Sequence, residues 1–183
     1  PAWAKDVLDL WFDHVGPSRW FGGPPELDEE IRERFEPLWH AMKGEPASAF
    51  SGSARLALAG VILFDQLPRN MFRHDAARFD SDDLARDIAD AALAHGLDRE
   101  LSGRERQFLY TPFMHSEALG DQERSVMLFE ALAEATGDHE PARFAILHRD
   151  IVARWGRFPH RNALLGREMR PGEADAAAEG ANW

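Results

Sequence analysis

Cysteine is absent from the 183 residues, which removes disulfides, thiolate zinc sites, iron–sulfur clusters and cysteine nucleophiles together. Positive charge is also scarce: 21 Lys and Arg stand against 32 Asp and Glu, a formal net charge of −11. A general nucleic-acid binder needs clustered cations to neutralise phosphates, so this balance argues against that class. No apolar run reaches the ~18–20 residues of a membrane span, and no basic-then-apolar leader opens the chain. The expectation is a soluble, cytoplasmic protein with neither a membrane nor a nucleic-acid partner.

Further absences concern chemistry. There is no H-E-x-x-H, no E-x-x-H and no pair of histidines at i,i+4, so a helical metal site lacks its usual spacing and no metal is expected. Neither phosphate-cradling glycine pattern occurs, nor the G-x-S-x-G nucleophile elbow, and no cofactor is expected. The chain holds one tyrosine and few valines. No stretch shows several cycles of apolar/polar alternation, so strands have little support.

What is present is helical. Apolar residues make up 44% and aromatics 10%, enough for a packed core. Leu27, Ile31, Phe35, Leu38, Trp39 and Met42 form one stripe of a 3.6-residue helix, which Pro37 should kink. Asp28, Glu29 and Glu30 place negative charge at its start, where the helix dipole favours it. Phe144, Leu147, His148, Ile151 and Trp155 form a second stripe, with Pro141 near its first turn and Gly156 past its end. Leu56 to Phe64 is apolar on every side, as suits a central helix. Asp80 to Asp83 opens another helix, Ser102 with Glu105 reads as a capping box, and Asp121 to Thr136 and the segment around Val7 to Phe12 complete the set. The sequence therefore predicts an all-α antiparallel bundle of about seven helices. One domain should span residues 1–170, followed by a tail, 171–183, that frays apart from Trp183.

Three helical stretches end at proline corners: Leu67-Pro-Arg-Asn70, Thr111-Pro-Phe-Met-His115 and Phe158-Pro-His-Arg-Asn162. The prolines are separated by about one helix pair each, so in an antiparallel bundle the corners would face one rim. Between Arg143 and Arg170 the chain carries net charge +5, a positive patch on an acidic protein that favours a small anion over a long polyanion. The expected ligand-binding residues are Asp65, Gln66, Arg69, Asn70, His115, Arg157, His160, Arg161 and Asn162. Arginines would clamp the anion, amides would orient it, and Trp20 or Phe113 would exclude water.

Structural readings stand beside each of these. Asp65 and Arg69 are one turn apart and can pair with each other; Asp150 and Arg154 can do the same on a solvated face. His148 lies on an apolar stripe, where a core histidine is the usual case.

Trp20-Phe21, Phe64 to Arg73, Phe108 to Glu117 with Gln122, Arg154 to Asn162 and Leu165-Gly-Arg167 resemble the bacterial family catalogued as domain of unknown function 924. The resemblance runs from about Val7 to Arg167 and implies a tetratricopeptide-like helical fold. It carries no catalytic residues. The chain departs from the family pattern at Met169 to Glu173, which puts an ordered last helix in question.

Three functional classes follow. The first is a binding protein for a small anionic molecule or a peptide carboxylate. The second is a hydrolase or isomerase in the same pocket, with His115 or His160 carrying the proton and Glu117 or Asp65 orienting the imidazole. The third is an interaction scaffold whose corner residues are purely structural.

Overall fold

A computed structural model describes residues 1–180, so Trp183 lies outside the described residues. Among the described residues there is no strand, and the fold is all-α. The helices are α1 (Ala2–Leu8), α2 (Pro25–Met42), α3 (Ala54–Val61), α4 (Leu67–Met71), α5 (Asp82–Ala94), α6 (Gly103–Met114), α7 (Leu119–Thr136), α8 (Glu140–Trp155), α9 (Asn162–Leu165) and α10 (Glu173–Gly180). The excess over about seven comes from two pieces of about one turn, α4 and α9, and from α10 in the tail. The chain divides into two compact units, Pro1–Pro112 and a second beginning at Phe113. No helix among the described residues is long and apolar enough to cross a membrane.

In the first unit the all-apolar stretch becomes α3, which packs on α1 and α5. Ala57, Leu58, Ala59, Val61, Ile62, Leu63 and Phe64 are all sealed from solvent. Gly60 permits the close approach: a Cβ there would meet Phe50 Cδ1 at 3.0 Å and Ile88 Cδ1 at 3.2 Å. Beyond Val61 the backbone widens into a π-turn, Ile62–Gln66, before tightening again into α4. A π-turn offsets the side chains that follow it and is over-represented at functional sites. Here it sends Asp65 and Gln66 into the interior.

Helix α2 runs through Pro37 and begins on Pro24-Pro25, with proline at the position where no donor is lost. Asp28 is turned inward rather than toward the helix's N-terminal solvent shell. At the other end, Trp39 Nε1 donates to Ser81 Oγ at 2.9 Å, and Ser81 Oγ donates to Phe64 O at 2.7 Å. This buried relay ties α2, α3's extension and the start of α5 together. The capping box forms as its sequence spacing requires: Ser102 N–H donates to Glu105 Oε2 at 2.8 Å, and Glu105 N–H to Ser102 Oγ at 3.3 Å.

In the second unit α7 and α8 pack as a hairpin across Gly137, burying Val126, Phe129, Leu132 and Ala133 on α7 and Ala142, Ala145 and Val152 on α8. Gly156 ends α8 at φ +71°, the left-handed conformation that favours glycine. The expectation of a fraying tail omitted α10, which packs on the Pro159–Arg161 turn and whose first residue, Glu173, is fully buried.

Candidate functional site

The first proline corner lies wholly within the first unit. Asp65 is sealed from solvent, and its carboxylate accepts from Gln66 Nε2 at 2.6 Å. Arg69 Nη1 reaches Asp65 Oδ1 only at 3.5 Å, so the local pair is the weaker one. Its guanidinium forks instead onto Asp82, Nη1 to Oδ1 at 2.8 Å and Nη2 to Oδ2 at 3.0 Å. Burial disfavours the Arg69 charge, but Asp82 and Asp65 outweigh it and hold the group firmly protonated. Asn70 donates to Asp28 Oδ1 at 2.8 Å, and Arg73 forks onto the same carboxylate at 2.6 and 2.8 Å. Against a burial effect that raises it, those bonds bring the Asp28 pKa below its ordinary value.

Among the described residues a further arginine of this corner, Arg78, forms no ion pair with a carboxylate, although Asp82 acts on it electrostatically. Arg78 Nη1 donates to the Arg73 carbonyl at 3.2 Å, and its Nε is shut off from solvent with no acceptor. Its guanidinium stacks over Phe79 at 5.1 Å, a ring that Arg69 also approaches at 5.8 Å. Burial, then the like charges of Arg69 and Arg73, push the Arg78 pKa down to about 10. Sequence reading named Arg69 and Asn70 and passed over Arg73 and Arg78. The available signal was their spacing: three arginines within ten residues, separated by four and five positions.

In the second unit His115, from the end of the second corner, lies near residues of the third. The His115 and His148 rings lie 6.5 Å apart, His148 packs edge-on against Phe158 at 5.6 Å, and Phe158 against His160 at 5.5 Å. Arg161 donates through Nη2 to the His115 carbonyl at 2.8 Å and covers the Phe158 ring at 4.7 Å. His148 is a buried core histidine whose Nδ1 lies 2.7 Å from Phe144 O. Burial, with smaller contributions from His115, His160 and Arg161, lowers its pKa to about 3, so it is neutral near pH 7.

The remaining predicted residues of this unit form a lock. Arg157 forks onto Glu173 at 2.9 and 2.7 Å, and Asn162 Nδ2 donates to the same carboxylate at 3.0 Å. Arg167 donates to Asn162 Oδ1 at 2.9 Å and forks onto Glu117 at 2.7 and 2.9 Å. Glu117 also accepts from Phe158 N–H at 2.7 Å. Both its oxygens are thereby engaged, and Glu117 orients no imidazole. The bond from Arg157 is the main reason that the Glu173 pKa falls to about 2. Arg157 and Asn162, expected to hold a ligand, are both bonded to the first residue of α10. Asp150, expected to pair with Arg154, pairs with its neighbour Arg149 at 2.7 Å, while Arg154 lies over Trp155.

Among the described residues no group of three His, Asp or Glu could hold a metal ion. The model of the bacterial proteins of unknown function DUF924 matches residues 7–181. The chain belongs to that family. A solved structure of another protein of unknown function, from Agrobacterium tumefaciens, is similar: 37% identity, TM-score 0.88, covering 97% of this chain and 98% of that one. No curated protein matches the chain. The matched span includes Pro68, Pro112 and Pro159, and with them the arginine corner and the histidine group described above.

Proposed function

We propose that this DUF924 protein binds a small oxyanion, a carboxylate or phosphate of low molecular weight, at the Arg69–Arg73–Arg78 corner of its first unit. The observation that carries the reading is Arg78. A guanidinium has five N–H donors; one reaches the Arg73 carbonyl, and the Nε–H is closed off from both water and protein acceptors. Buried polar groups are normally satisfied, and an orphan of this kind marks a place where a partner is missing. Arg69 and Arg73 are each committed to an aspartate by two bonds, which holds both side chains in place and neutralises their charges. Arg78 is half-buried, and its remaining Nη donors are left to receive an incoming anion; a planar guanidinium suits carboxylate or phosphate oxygens. The acidic remainder of the protein disfavours long polyanions.

The experiment is calorimetric titration of the whole protein with inorganic phosphate and with citrate at constant ionic strength. Saturable binding that falls at least about tenfold in Arg78→Gln supports the reading, since removing a charge-assisted contact is worth about 1.5–3 kcal/mol. Equal binding by wild type and Arg78→Gln, or none by either, refutes it.

A further inference from the structure

A different part of the first unit holds a cleft that shares no residue with the arginine corner. A cleft of about 320 Å³ is lined by Leu8, Phe12, Asp13 and Arg104 together with Asp9, Arg55, Ser102 and Glu105. Its charges are of two kinds. Arg55 is matched by Glu105 at 3.0 Å, and Asp9 by Lys5. Asp13 and Arg104 line the same cleft, yet among the described residues neither forms a hydrogen bond or ion pair with any group, including each other. One anion and one cation therefore line the same cleft without pairing to each other.

The scaffold holding them is stiff. Asp9, Phe12 and Asp13 belong to a seven-residue π-helix, Asp9–Val15, a rare conformation concentrated at functional sites. Phe12 packs edge-on against Trp20 at 6.0 Å and Phe108 at 5.7 Å. Trp20 is pinned by its Nε1–H, which donates to Trp11 O at 2.8 Å, and Arg104 lies over the Trp20 ring at 5.5 Å. Among the described residues no protein acceptor meets the Arg104 N–H groups, and the ring contact helps to position its guanidinium.

We infer that this cleft binds a zwitterion of the amino-acid type: an ammonium on Asp13, a carboxylate on Arg104 and an apolar side chain against Leu8 and Phe12. A ligand bearing both charges bridges the two unmatched groups, whereas a singly charged molecule satisfies one and leaves the other as it was. The volume lies at the small end of ligand pockets, which run from about 300 Å³ upward. That suits a single amino acid or a dipeptide and excludes a long peptide. The site shares no residue with the arginine corner, so the two proposals stand or fall separately.

The test is NMR titration of the full chain with L-phenylalanine, with phenylpropanoate lacking the ammonium, and with phenethylamine lacking the carboxylate, following the Trp20 indole N–H. Saturable shifts with L-phenylalanine up to about 10 mM, a range that reaches millimolar dissociation constants, and at least tenfold weaker binding of both analogues are expected. Asp13→Asn should weaken L-phenylalanine toward phenylpropanoate, and Arg104→Gln should weaken it toward phenethylamine. Both positions are exposed, so the variants should fold, and the indole spectrum itself reports that. Equal shifts from all three compounds, no shift from any, or unchanged L-phenylalanine binding in both variants overturns the inference.

Discussion

His148 gives the protein a specific acid sensitivity. In the folded chain its pKa is about 3, against 6.5 for an unperturbed histidine. Between those values the unfolded chain takes up a proton that the folded chain refuses. Stability from this group is therefore complete above pH 6.5 and is lost as the pH falls toward 3. Lowering the pH from 8 to 5 should cost about 2 kcal/mol, since the unfolded state gains RT ln(1 + 10^1.5) while the folded state gains almost nothing. His148→Gln keeps a side-chain donor and has no titration of its own. The assay is urea unfolding at pH 8, 7, 6 and 5, followed by far-UV circular dichroism. The variant should be less stable at pH 8, and the gap to wild type should narrow by about 2 kcal/mol by pH 5. A gap that stays constant with pH would show that His148 is not held neutral by burial.

Glu173 acts in a lower range: its folded pKa of about 2 lies below the ordinary 4.5, so its contribution is whole above pH 4.5 and lost as the pH falls toward 2. Glu173→Gln should accordingly release α10 at neutral pH, read as faster tryptic cleavage at Arg167 and Arg170, with a smaller acid dependence than wild type. Gly60→Ala should lower stability by about 1 kcal/mol, overpacking outweighing the helix-propensity gain, because Phe50 and Ile88 are both fully buried and cannot withdraw; thermal melts check this. A rise in the melting temperature would show that the neighbours do yield.

The helices with long apolar stripes were legible because periodicity and caps agree: Leu27 to Trp39 on α2, and the Ser102–Glu105 box at α6. Short pieces such as α4 and α9 carry too few residues to show a period, and α10 is an alanine run without a stripe. It is held by one buried carboxylate, whose partner lies sixteen residues earlier. The same carboxylate accepts from Arg157 and from Asn162, partners that spacing along the chain does not show. Asp28 was read as a dipole-favoured charge because a sequence gives its place in α2 but not which way the start of the helix faces. Its partners, Asn70 and Arg73, lie 42 and 45 residues away. The π-turns at Asp9–Val15 and Ile62–Gln66 have no local signature, since an inserted residue in a helix leaves the apolar pattern almost unchanged over one turn. Arg78 escaped notice for a related reason. What distinguishes it is the lack of an ion pair with a carboxylate among the described residues, and that is visible only once the partners of Arg69 and Arg73 are known.

Anion binding at Arg78, as proposed, is read most directly from that residue's side-chain NMR signal. Phosphate titration at constant ionic strength should move the Arg78 Nε–Hε resonance along a saturating curve, while the aspartate-bound Arg69 and Arg73 signals shift less. An Arg78 signal that stays still throughout, or that moves linearly and in step with every exposed arginine, would contradict the account.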